Sequence, residues 1–120
     1  MTFVGEDGLA APQLNELEEA DFQKIARSTL MIVRRLVIDA KMVHGDLSAY
    51  NILVWRDEPF LIDLSQAVLV GHPDAPRLLR RDMENLADFF AKRGVGVKPF
   101  HDMLADLQEH LTHCRPHHQE

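Results

Sequence analysis

Residues Val43 to Val68 read "VHGDLSAYNILVWRDEPFLIDLSQAV". Two β-prone runs, Ile52-Leu53-Val54-Trp55 and Phe60-Leu61-Ile62, flank the polar break "RDEP" and predict an antiparallel hairpin. Centring it on Asp57 sets Ile52 opposite Ile62, Leu53 opposite Leu61 and Val54 opposite Phe60. One step further, Asn51 lies across from Asp63. Cross-strand neighbours are only ~5 Å apart at Cα, so this register brings an amide oxygen and a carboxylate to one point. Both are hard oxygen donors, suited to Mg²⁺ (or Mn²⁺), which takes one or two protein oxygens and fills its shell with phosphate and water. Asp46 reaches the same end from the preceding turn. A carboxylate beside a metal-bound phosphate can orient or deprotonate a hydroxyl nucleophile.

The rest of the chain sets the frame. Its 120 residues suffice for one small domain, and 46% hydrophobic with 27% charged residues is globular composition. A net charge of -6 argues against a general nucleic-acid surface, so Arg34-Arg35 and Arg80-Arg81 read as solvated helix faces. The single cysteine, Cys114, forms no internal disulfide and fits a reducing compartment. No apolar run approaches the ~18 residues of a membrane span, and the first residues lack a basic-then-apolar leader pattern. The expectation is a soluble, cytoplasmic protein with no membrane partner.

Leu14 to Ala40 turns helical, with Leu17, Ile25, Ile32, Val33, Leu36 and Val37 at three- and four-residue spacing and Asp21 able to cap a second helix within it. Asp74 or Pro76 opens another helix reaching about Arg93, stopped by Gly94, with Leu78, Leu79, Leu86, Phe89 and Phe90 on its buried side. Pro99 starts a third, carrying Phe100, Met103, Leu104, Leu107 and Leu111. The fold class is therefore mainly α with a small β-hairpin. Residues 1–13 form an initial segment, 14–113 the domain and 114–120 a polar tail.

Asp82 falls on the apolar stripe of the second helix, where a carboxylate is costly unless it accepts hydrogen bonds. The donors in need are the backbone N–H groups of the turn His44-Gly45-Asp46, which has no strand pairing. Trp55 and Tyr50 read as packing residues. His110, His113, Cys114, His117 and His118 have zinc-like spacing, but a polar helix end explains them as well, and no second ligand cluster accompanies them.

Asp46, an asparagine five residues on, a hairpin and then Asp63 form the catalytic and metal-loop arrangement of protein kinase-like phosphotransferases. More closely, "VHGDLSAYNIL" and "LIDLSQAV" resemble the RIO family of atypical serine/threonine kinases, whose motifs are H-[AG]-D-L-S-x-[YF]-N and I-D-x-S-Q. "MTFVGEDGLAAPQL" looks like that family's hinge, and "HPDAPRLLRRDMENLADFF" like its next helix, so the resemblance covers roughly residues 1–93. Aminoglycoside and choline phosphotransferases share H-G-D-x4-N and I-D; Ser65-Gln66 and the hinge favour RIO.

The resemblance implies a kinase-like C-terminal lobe with ATP and Mg²⁺ as cofactors. By it, Asp46 matches the catalytic aspartate, and Asn51 and Asp63 match the metal ligands. It also associates Asp63 with a phospho-aspartate intermediate. Thr2 carbonyl and Val4 N–H match the adenine-binding hinge groups, and Ser48 stands where ordinary kinases have a lysine. His44 is expected to support the turn rather than exchange protons, and Asp82 matches the helix aspartate that holds the catalytic loop.

The 120 residues contain no Gly-rich phosphate loop, no V-A-I-K-type lysine and no long activation segment after Asp63. The chain thus resembles a lobe from the hinge onward, expected to have little phosphotransfer activity alone. Its expected partners are ATP, a protein substrate and an N-terminal lobe. The alternatives are a non-catalytic lobe that binds a partner and a fragment of a small-molecule phosphotransferase.

Overall fold

The computed structural model describes residues 12–114, with side chains to Thr112. The expected first helix is broken. Leu14–Glu16 forms a single 3₁₀ turn, residues 17–20 are irregular, and α1 runs Phe22–Ile38. Asp21 caps α1 by accepting the Lys24 N–H at 3.1 Å, as its position in the sequence suggested. Ile25, Leu30, Val33 and Val37 are buried, whereas Ile32 and Leu36 are half-buried. Thr29 completes the buried face by returning its hydroxyl to the Ile25 carbonyl at 2.7 Å, so no donor is stranded there.

Two short antiparallel ribbons follow. β1 (Met42–Val43) pairs with β4 (Val68–Leu69), and β2 (Ile52–Trp55) pairs with β3 (Glu58–Leu61). The β1–β4 ribbon is absent from the sequence-based expectation, because two-residue strands show no readable alternation. In the β2–β3 hairpin the observed pairs are Ile52 with Leu61, Leu53 with Phe60, Val54 with Pro59 and Trp55 with Glu58. The register centred on Asp57 is therefore wrong by one residue. Arg56 (φ 54°) and Asp57 (φ 63°) both adopt left-handed backbone and form a two-residue turn, the geometry that matches strand twist in tight hairpins. The far side of β2 is covered by the chain before the 3₁₀ turn, where the Val54 N–H donates to the Pro12 carbonyl at 2.9 Å.

α2 (Ala75–Ala91) has Pro76 in its first turn, where a missing N–H costs nothing. Gly94, at φ 84°, follows its end. α3 (Lys98–Cys114) packs on both α1 and α2. Phe90 and Phe100 stack at 5.5 Å, and Phe89 meets Phe22 edge-on at 6.3 Å. Arg93 lies over Phe89 at 3.7 Å and over Phe22 at 5.4 Å, adding cation–π attraction to that corner. The buried face of α2 comprises Leu79, Asp82, Met83, Leu86 and Phe90, while Leu78 and Phe89 stay half-buried. No helix among the described residues is long and apolar enough to cross a membrane.

Candidate active site

The loop from His44 to Ser48 belongs to no ladder, so its polar backbone groups need other partners. Side chains supply them all between residues 45 and 47. The Asp82 carboxylate accepts the Gly45 N–H at 2.8 Å and the Leu47 N–H at 3.0 Å. Arg81 donates to the Gly45 carbonyl, and Asn85 donates to the Leu47 carbonyl at 3.3 Å. His44 Nδ1 accepts the Asp46 N–H at 3.2 Å, and Asn51 Nδ2 donates to the Asp46 carbonyl. Asp82 is 1% exposed. Burial pushes its carboxyl above the usual range, opposed chiefly by the N–H groups of Leu47 and Gly45. Thus one turn of α2, through residues 81, 82 and 85, moulds the loop, while the Asp46 side chain remains exposed.

The sequence placed Asp82 on the apolar face and named this turn as its partner. Arg81, read as part of a solvated helix face, instead donates to this loop, and Asn85 escaped notice, although as helix neighbours of Asp82 at i−1 and i+3 they flank the same point. His44 is a further connector. Because Nδ1 accepts, the network assigns the ring proton to Nε2, which donates to the Ile62 carbonyl at 2.9 Å. The imidazole, 1% exposed, therefore joins the Asp46 loop to the strand that leads into Asp63. This is the supporting role expected of His44.

Gly45 seals the same junction. Its φ is +88°, and a Cβ there would stand 2.5 Å from the Gln66 carbonyl oxygen. Only glycine permits both the left-handed turn and this close approach.

Asn51 does not lie across from Asp63. Its carbonyl accepts the Ile62 N–H at 3.0 Å, and Asp63 comes one residue later. Asp63 leaves the strand with φ 62° and ψ 72° and heads the 3₁₀ turn Leu64–Gln66. Its Oδ1 accepts the Ser65 hydroxyl at 2.6 Å and the Ser65 N–H at 3.3 Å. The Ser65 hydroxyl, then its N–H, hold this exposed carboxyl below the usual aspartate range.

The donor chemistry fits a hard divalent cation. Asn51 spends its N–H on Asp46, leaving Oδ1 as a donor, and Asp63 keeps Oδ2 free of the Ser65 contacts. Among the described residues no three His, Cys, Asp or Glu side chains converge. A cation here would complete its shell with phosphate and water, the habit of Mg²⁺.

Ser48 caps the 3₁₀ turn Ala49–Asn51 by accepting the Tyr50 N–H at 3.2 Å. Tyr50 is 64% exposed, which corrects its reading as a packing residue. It lines a concavity of about 460 Å³ with Ser48, Asn85 and Lys92. Trp55 is half-buried with the Arg56 guanidinium 5.4 Å from its ring. Thr2 and Val4, and the side chains of His113, Cys114, His117 and His118, lie outside the described residues.

The family model for the RIO domain matches residues 1–103. The chain belongs to the RIO family. The RIO-type serine/threonine-protein kinase Rio1 of Methanocaldococcus jannaschii is 43% identical over 112 residues, covering 93% of this chain and 37% of that protein. Human serine/threonine-protein kinase RIO1 is 35% identical, over 94% of this chain and 20% of its own length. This RIO chain thus spans well under half the length of these relatives. The RIO fold is matched by the Rio2 kinase of Chaetomium thermophilum, solved as an ADP/Mg²⁺-phosphoaspartate complex, with a TM-score of 0.67 and 23% identity over 81% of this chain and 33% of that one. The architecture is that of a kinase-like lobe, mostly helical with small antiparallel ribbons.

Proposed function

We propose that this RIO chain carries the catalytic-loop half of an ATP-dependent serine/threonine phosphotransferase. The observation that carries the reading is the Asp46 loop, whose backbone is fully held by Asp82, Arg81, Asn85, His44 and Asn51 while its carboxylate is left exposed. Preorganising one free carboxylate in this way is what positioning an acceptor hydroxyl requires. Asp46 orients that hydroxyl and takes its proton. Asn51 Oδ1 and Asp63 Oδ2 would hold a magnesium ion, which would supply charge neutralisation at the phosphates of ATP. The family resemblance also associates Asp63 with a phospho-aspartate intermediate. Thr2 and Val4 would meet the adenine edge, as the family resemblance implies.

The names of the relatives support ATP-dependent protein phosphorylation, and the Rio2 complex supports nucleotide with Mg²⁺. A cytoplasmic setting fits the composition. The test is a titration of ADP with Mg²⁺ against this chain and against one extended to the relatives' length. Binding that strengthens in the longer chain and is lost in Asp63→Ala is the expected result. Nucleotide binding indifferent to Mg²⁺ and to Asp63 would overturn the reading.

A further inference from the structure

Oδ1 of Asp63 accepts two hydrogen bonds, from the Ser65 hydroxyl at 2.6 Å and from the Ser65 N–H at 3.3 Å. A carboxylate oxygen has two lone-pair sites, so this oxygen is saturated by one neighbour. The left-handed conformation of Asp63 (φ 62°, ψ 72°) folds the carboxylate back over the turn and makes both contacts possible. Oδ2 carries neither bond. We infer that Ser65 is a positioning residue that confines Asp63 to monodentate coordination and thereby sets the site's preference for Mg²⁺ over Ca²⁺.

The inference rests on the proposed metal role of Asp63 and adds to it a reason for ion choice. Mg²⁺ demands compact octahedral geometry and takes carboxylates one oxygen at a time, whereas Ca²⁺ accepts larger shells and often chelates both oxygens. Blocking one oxygen with a hydroxyl costs Mg²⁺ nothing and denies Ca²⁺ a ligand. Asn51 cannot replace it, because an amide offers a single oxygen ligand and its nitrogen only donates, here to the Asp46 carbonyl. Ser65 is exposed on a 3₁₀ turn, so removing its hydroxyl leaves the core untouched.

The experiment is an amide NMR titration of the ¹⁵N-labelled chain with MgCl₂ and, separately, with CaCl₂, following Asn51 and residues 63–66. In wild type both ions move these signals, with Mg²⁺ preferred. Ser65→Ala should shift the ratio of the two apparent dissociation constants toward Ca²⁺ by roughly threefold or more. Ser65→Thr, which keeps the hydroxyl, should restore the wild-type ratio. An unchanged ratio in Ser65→Ala, with both ions still bound, overturns the role of Ser65 and leaves the metal site standing. A Ser65→Thr ratio matching Ser65→Ala overturns it as well. Wild-type signals at Asn51 and Asp63 that respond to neither ion overturn the metal site itself.

Discussion

Gly45 concentrates two demands on one residue: a φ of +88° and room for the Gln66 carbonyl. Gly45→Ala meets left-handed strain and a backbone clash together. It is expected to cost ~1–3 kcal/mol, read as a lowered midpoint in urea denaturation. Asp82 makes a contrasting case. Asp82→Leu strands the Gly45 and Leu47 N–H groups and should destabilise by ~1–3 kcal/mol, whereas Asp82→Asn keeps an acceptor and should be milder. The two also separate by pH. Because burial raises the Asp82 pKa, the folded chain binds the extra proton more readily than the unfolded one. Its stabilising contribution is full below the ordinary aspartate value of about 3.9 and is lost as pH rises through the raised folded value. The stability of wild type relative to Asp82→Asn should therefore fall across that window. A difference independent of pH, measured by chemical denaturation from about pH 3 upward (roughly one unit below the ordinary aspartate value), would refute this. The role of Asp82 was legible because helical spacing alone places a charge among Leu79, Met83 and Leu86. The His44 tautomer and the Ser65 contacts were not, since a ring proton and a rotamer-level hydrogen bond leave no periodic trace.

At the scale of elements, the hairpin shows how a small misreading propagates. "RDEP" contains neither Asn-Gly nor Asp-Gly, the usual sign of a two-residue turn. Arg56 and Asp57 nevertheless both take left-handed backbone, so the turn sits between residues rather than on Asp57. That half-step moves Asp63 off the ladder and into its own 3₁₀ turn. Asp57→Gly relieves the left-handed cost and is expected to stabilise the chain by ~0.5–1 kcal/mol, seen as a higher thermal midpoint. A lower midpoint would mean that the Asp57 side chain supports the turn. The helices were more transparent. Their apolar spacing is sustained over several turns, and Asp21, Pro76 and Gly94 mark ends that the structure keeps. What the spacing could not show was the break at residues 17–20, because Leu14 and Leu17 are both partly or wholly buried without sharing a helix with α1.

For the whole molecule, the matched relatives are much longer than this chain, and its sequence has no Gly-rich loop or V-A-I-K lysine. Clamping phosphates is a large part of phosphoryl-transfer catalysis. The 120 residues assayed alone should turn over well below the ~1–100 s⁻¹ typical of kinases. A rate in that range, abolished by Asp46→Ala, would show that other residues of this chain clamp the phosphates. The fold was legible at this scale because motif order, helix spacing and hairpin all point to one architecture. Nucleotide-binding residues are implied only by resemblance, and Thr2 and Val4 lie outside the described residues.

The grip of α2 on the loop also has a consequence in time. Loops ordinarily surrender their amide protons to solvent by local opening. The amides of Gly45 and Leu47 are bonded instead to a carboxylate on a helix whose other buried residues are core, Leu79, Met83, Leu86 and Phe90 among them. Releasing those two protons requires either moving α2 or leaving a buried charge bare. In hydrogen–deuterium exchange they should persist as long as the slowest helical amides, so that the loop carrying Asp46 keeps time with global unfolding.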